Sequence, residues 1–180
     1  RRSTMSPSDQ LFEALPEDVP SIPRDGRKRA LGRTGVLPSQ AIRQLIAAGE
    51  IAGAPEIEDA QIQPASLDLR LGKVAYRIRA SFLPGTKATV RDKLAGLTFH
   101  EIDLTKGAVL EAGCVYLVPL IEHLNLRSTI AAFANPKSST GRLDVFTRLI
   151  ADYQESFDSV AEGYKGPLFT EICPRTFSIK

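Results

Sequence analysis

The strongest constraint on this chain is a succession of short alternating apolar segments, separated by Gly, Pro and Asn, behind one amphipathic helix. In Ser66–Leu71, Leu67, Leu69 and Leu71 fall on one side, and Ser66, Asp68 and Arg70 on the other. Val74, Tyr76 and Ile78 alternate after Gly72, and Val115–Leu120, Thr129–Ala134, Leu143–Ile150 and Leu168–Cys173 read as further short strands. Pro38–Glu50 predicts a helix: Pro38 suits its first turn, Ile42, Leu45 and Ile46 share one face, and Gly49 is a stop. A second, shorter helix is expected over Val90–Leu97, inside an insertion between strands. One helix followed by many short strands predicts a mainly β barrel or sandwich with a small helical cap at its N-terminal side. No βαβ alternation is present, which argues against a Rossmann-type sheet, and no internal repeat is found.

A chain of 180 residues can bury one sizeable core. Its net charge of +2 leaves no concentrated basic face for bulk nucleic-acid binding, so any basic function must be local. Two cysteines, Cys114 and Cys173, do not make a disulfide framework, and both are expected as small buried apolar residues. No run approaches the roughly 18 apolar residues of a membrane helix. The polar start Arg1–Gln10 lacks a signal-peptide core, and a cytoplasmic setting is expected. Residues 1–35 hold Pro7, Pro16, Pro20 and Pro23 and a basic cluster from Arg24 to Arg33. They read as an extended N-terminal arm with a short helix near Asp9–Leu15, the cations forming a solvated linker.

Chemistry is concentrated in Asn135–Val145, N-P-K-S-S-T-G-R-L-D-V. Lys137 and Arg142 supply a point charge and a guanidinium fork, and Ser138 and Ser139 supply hydroxyls, which together suit a polyphosphate. A plain turn is the alternative, since Asn135-Pro136 commonly opens one. The G-x-x-x-x-G-K-[ST] spacing of a nucleotide P-loop is absent. Asp68 shares its strand face with Ser66 and Arg70, either as an exposed face with a local charge contact or as a carboxylate that pairs with a phosphate-binding arginine or shapes a subunit contact. Glu171 lies mid-strand among Phe169, Ile172 and Cys173. It is either on the solvent face or buried, and burial would raise its pKa toward a range useful for proton transfer. His100 and His123 give no metal signature, and Cys173-Pro174 lacks the second cysteine of a zinc nucleobase deaminase.

Three of these segments resemble the motifs of one family. Gln63–Gly72, Q-P-A-S-L-D-L-R-L-G, is similar to the P-x-S-x-D-L-R-L-G strand of dCTP deaminases. Lys137–Val145 resembles their R-S-S-x-x-R-x-G-x phosphate motif, and Gly163–Ile172 resembles their G-W-x-G-x-x-x-L-E segment. Pro38–Glu50 matches the opening helix, so the resemblance covers residues 36–180. The Pro-rich arm looks like the start of the longer bacterial form, in which a dUTPase-like domain is duplicated.

The resemblance implies a dUTPase-like distorted jelly roll of the β-clip type. It also implies a homo-oligomer, trimeric or pseudo-trimeric, with sites between dUTPase-like domains. The implied substrate is dCTP, with Mg²⁺ accompanying the triphosphate and no zinc. Glu171 takes the position of the proton shuttle. Ser138, Ser139 and Arg142 take triphosphate-binding or site-supporting positions, with Lys137 where the family commonly has Arg. Asp68 and Arg70 become structural or interface residues, and Tyr164 takes the aromatic position. The family's I-D-P-G reads here Val160-Ala161-Glu162-Gly163, so Ala161 replaces its aspartate and Asp158 or Glu162 would have to substitute. The family needs further strands after Lys180, so residues 36–180 are expected to be an incomplete unit. The expected activity is hydrolytic deamination of dCTP to dUTP and ammonia. The alternatives are a dUTP diphosphatase, a bifunctional enzyme, or a non-catalytic nucleotide-binding repeat.

Overall fold

A computed structural model of the protein describes residues 35–180. The expectations for the arm, including the helix near Asp9–Leu15 and the basic cluster, lie outside the described residues. The domain is mainly β. Its elements are α1 (Ser39–Ala47), β1 (Ile51–Gly53), β2 (Val74–Ile78), α2 (Val90–Leu97), β3 (Thr98–Asp103), β4 (Val115–Asn125), β5 (Ala132–Phe133), α3 (Ser138–Arg142), β6 (Val145–Ala151), β7 (Ser159–Val160) and β8 (Lys165–Pro174).

The two longer helices form where the sequence places them. In α1, Ile42 and Leu45 are buried on the apolar face, and Gly49 ends the turn with φ +68°, a conformation that favours glycine. In α2, Thr89 and Asp92 form a capping box, the Thr89 side chain accepting the Asp92 N–H while the Asp92 side chain accepts the Thr89 N–H. The main sheet is antiparallel in the order β3-β2-β4-β8-β6, and β1 pairs with the far end of β4. Among the described residues it stays open, and β5 and β7 form a separate two-stranded ribbon.

Alternation along β8 divides the sheet into two faces. Leu168 and Ile172 pack into the cores on one face, the first with Ile42, Leu45, Leu124 and Leu149, the second with Ala75, Tyr116, Val118 and Val145. Phe169, Glu171 and Cys173 point to the other face.

The segment Ser66–Leu71 departs from its expected strand. It forms only isolated bridges, Ile62 with Leu67 and Leu71 with Leu120, and of its three leucines only Leu67 packs against the core. Leu69 and Leu71 are exposed, whereas Arg70 turns inward. The cause is Glu122 on β4, which is 0% exposed. Arg70 donates to it from its backbone N and from Nε, each at 2.8 Å, and Gln61 Nε2 adds a third bond at 2.9 Å. A buried carboxylate must be matched by donors, and that requirement overrides the preference of leucines for the interior. Gly72 permits the close approach: a Cβ there would lie 2.7 Å from the Pro119 carbonyl oxygen, which accepts the Gly72 N–H.

Two further expectations change. Thr129–Ala134 contributes only Ala132–Phe133 to a ladder, and the Lys137–Arg142 turn winds into the short helix α3. Cys173 is buried as expected, but Cys114 is half-exposed and accepts from Arg77 at 3.0 Å.

Replacing Arg70 with Met leaves Glu122 short of its charged partner inside the fold. The expected loss is about 3 kcal/mol of unfolding free energy in a denaturant titration. Adding Glu122→Leu should recover most of it; a double variant as unstable as the single one would count against the pairing.

Candidate active site

Glu171 sits on β8, the strand held between β4 and β6. Its cross-strand partners are Leu117 on β4 and Arg148 on β6. The side chain is buried, and its Oε2 has no hydrogen-bond partner. This settles the choice left by the sequence: Glu171 is not on a solvent face. A buried carboxylate oxygen without a donor is costly, and groups of this kind concentrate where chemistry is performed.

The phosphate-like cluster lies at the entrance to β6. Lys137 precedes α3, Ser138 and Ser139 begin it, and Arg142 closes it. Val145, three residues on, pairs with Pro174, which lies three residues past Glu171 on β8. Cluster and carboxylate are therefore carried by adjacent strands, with about 10 Å of strand between the Val145 register position and Glu171. Among the described residues Ser138, Ser139 and Arg142 have no side-chain partner, which leaves them available to an anion. Lys137 differs: its Nζ lies 2.6 Å from Asp68 Oδ2.

Asp68 is thus brought to the cluster, where its charge contact is with Lys137 and not with an arginine. Its backbone N–H donates to Gln61 O and its carbonyl accepts from Gln61 Nε2, each at 2.8 Å, and Gln63 Nε2 reaches its carboxylate at 3.3 Å. Arg70 supports this frame from beneath, through Glu122.

Asp158 and Tyr164 are occupied with holding the fold. Asp158 has φ +60°, and its Oδ1 accepts the Leu149 N–H at 2.7 Å. Tyr164 donates to the Pro167 carbonyl at 2.6 Å and accepts the Asp152 N–H at 3.1 Å; burial pushes its pKa well up. Neither spans to Glu171 through any bond among the described residues. Ala161 only accepts the Tyr164 N–H, in the turn before β8.

Three buried acids escaped the sequence reading: Glu50, Glu122 and Asp152. Glu50 accepts from the backbone N and the guanidinium of Arg127. Asp152 accepts the Val90 N–H at 2.7 Å and ties the start of α2 to the end of β6. Each belongs to no motif and finds its donor far along the chain, so only Glu122, flanked by Ile121 and His123 within an apolar strand, carried a local hint. Among the described residues no cluster of three His, Cys, Asp or Glu could hold a metal ion.

A family model described as the 2'-deoxycytidine 5'-triphosphate deaminase N-terminal domain matches residues 33–180. A dCTP deaminase, dUMP-forming, of Sulfurihydrogenibium sp. is 32% identical over 140 residues, covering 76% of this chain and 71% of that protein. A dCTP deaminase of Halorubrum lacusprofundi is 27% identical over 139 residues, covering 76% of this chain and 66% of that protein. The crystal structure of 2'-deoxycytidine 5'-triphosphate deaminase from Agrobacterium tumefaciens superposes with a TM-score of 0.78 at 56% identity. That match covers 81% of this chain but 43% of the other, so the chain spans less than half of the solved protein.

Asp152 generates a pH test. Burial raises its pKa above the ordinary 3.8, against the opposing Val90 N–H. A carboxyl whose folded pKa is raised contributes stability that is full below its unfolded pKa and is lost as pH climbs through the folded value. Asp152→Asn keeps an oxygen for the Val90 N–H and cannot ionise. Urea titrations should find variant and native protein close below about pH 4 and the variant the more stable near pH 7. A variant that is less stable at pH 7 overturns this account of Asp152.

Proposed function

The chain belongs to the dCTP deaminase family, and we propose that it carries the site of an enzyme that deaminates dCTP at C4 without zinc. The observation that carries this reading is the partnerless, buried carboxylate oxygen of Glu171. It lies on the strand next to the one that leads out of the Ser138–Arg142 cluster.

In this reading Ser138, Ser139 and Arg142 grip the triphosphate, and the fixed phosphates hold the cytosine ring against Glu171. Glu171 takes a proton from water as the oxygen attacks C4, and passes it to N3, which makes the neutral ring electrophilic. Glu171 then moves the proton of the new C4 hydroxyl to the amino group, so that collapse of the tetrahedral intermediate expels ammonia and leaves the uracil ring. A divalent cation such as Mg²⁺ fits the site only as a companion of the triphosphate. The described residues offer it no ligand cluster, and Mg²⁺ retains waters and phosphate oxygens readily. Burial of Glu171 in a water-poor setting strengthens its bonds to the reacting atoms.

The exposed side chains of Leu69, Leu71 and Phe133 support assembly with further dUTPase-like domains, in a trimeric or pseudo-trimeric arrangement. Among the described residues no helix is long and apolar enough to cross a membrane, which accords with a cytoplasmic nucleotide enzyme.

A second reading concerns the product. The relative from Sulfurihydrogenibium is named as forming dUMP, which adds loss of pyrophosphate to deamination. Ala161, where the family's aspartate is expected, speaks for dUTP as the product instead.

Incubating the full-length protein with dCTP and Mg²⁺ and separating the products by chromatography tests both readings. Ammonia with dUTP supports the first, ammonia with dUMP and pyrophosphate the second, and no ammonia defeats both. Glu171→Gln should lower kcat by about 10²–10⁴-fold and leave dCTP binding largely intact by calorimetry; an equally active variant refutes the role of Glu171.

A further inference from the structure

Arg148 belongs to none of the motifs, yet its register position is directly opposite Glu171. Residues so paired point to the same face, with Cβ atoms about 4.5–5.5 Å apart. From there a guanidinium could fork onto the carboxylate and fill its lone pairs. It does not: among the described residues Arg148 makes no ion pair, and Glu171 Oε2 remains without a donor. The guanidinium carbon instead lies 4.5 Å from the ring centroid of Phe146 and 4.5 Å from that of Phe157. Phe146 shares the β6 face of Arg148, and Phe157 comes from the loop before β7, so rings from two elements hold one cation.

We propose that Arg148 is a positioning residue whose nearby charge keeps Glu171 ionised in its buried place, while Phe146 and Phe157 hold the guanidinium back from a direct ion pair. A lone buried carboxylate would take up a proton and cease to be a base. One locked in a fork would be too weak a base to accept a proton from water. A cation carried on the opposite register position and held out of the ion pair by stacking avoids both extremes. Beyond Arg148, the cross-strand row through Glu171 runs over β4, β2 and β3. Leu117 faces Glu171 from β4. Tyr76 on β2 and Glu101 on β3 lie farther along the row, and Arg91 of α2 acts on Tyr76.

The proposal rests on the reading of Glu171 as the proton-transfer group, and two measurements on the full-length protein separate their failures. The first is the pH profile of kcat for dCTP. Arg148→Met should move the acid limb upward, and Arg148→Lys should restore it toward the native position. Phe157→Ala frees the guanidinium to pair with the carboxylate and should move the limb downward, with a lower plateau. An unchanged limb in Arg148→Met overturns the proposal.

The second measurement is a carbon-13 titration of the Glu171 carboxyl, assigned by its loss in Glu171→Gln. It reads the same shift without turnover. An upward shift in Arg148→Met, in a protein that does not deaminate dCTP, supports the charge coupling and rejects the deaminase reading. No shift in an active enzyme does the reverse.

Discussion

The buried contact between Glu122 and Arg70 governs the upper surface of this domain. Glu122 is fixed at the end of β4 that also binds β1, and its carboxylate accepts from the backbone N and Nε of Arg70. Gln61 links the same carboxylate to the backbone of Asp68. Asp68 in turn meets Lys137 at the start of α3. A continuous set of hydrogen bonds therefore runs from the inside of the sheet to the phosphate-like cluster. The cluster is placed by a charge that must not be left alone, rather than by the helix that presents it, which is too short to be stable by itself.

The sheet separates the tasks of the site. One face of β8 supplies the cores that fix the strand, through Leu168 and Ile172. The other face carries Glu171, with Phe169 and Cys173 on either side and Arg148 across from it. Because both neighbouring strands are bonded to β8, the carboxylate has little backbone freedom, and its geometry is inherited from packing on the reverse face. Ser138, Ser139 and Arg142 sit where the chain enters the adjacent strand, close to solvent. A rigid acid and an accessible cationic end suit a ligand with a small reactive ring and a long charged tail.

Much of this was legible from residues alone. The α1 helix followed from Pro38, the Ile42–Ile46 stripe and Gly49, and the strands β2, β4, β6 and β8 followed from alternation, because both signals are local. In Ser66–Leu71 the alternation holds for Ser66 and Leu67, but Leu69 and Leu71 face outward and Arg70 inward. Alternation says which residues share a side, but the side is chosen by a partner, Glu122, more than fifty residues away. The same limit hid Asp152 and Glu50, whose donors are distant in sequence. Glu171 and the Lys137–Arg142 cluster were identified by motif. Their relation across two strands, and the presence of Arg148 between aromatic rings, belong to the register and could not be seen before it was known.

The contact between Lys137 and Asp68 gives the cluster a threshold. The ammonium is already matched by a carboxylate attached to the same frame, so the pair presents almost no net charge to solution. A small singly charged ion must displace Asp68 to reach Lys137 and gains little in return, because the local carboxylate competes at high effective concentration. A chain of phosphates can engage Arg142 and the two hydroxyls first, and can then exchange with Asp68 from a tethered position. On the proposed function, such a site would discriminate by the number of charges a ligand brings at once.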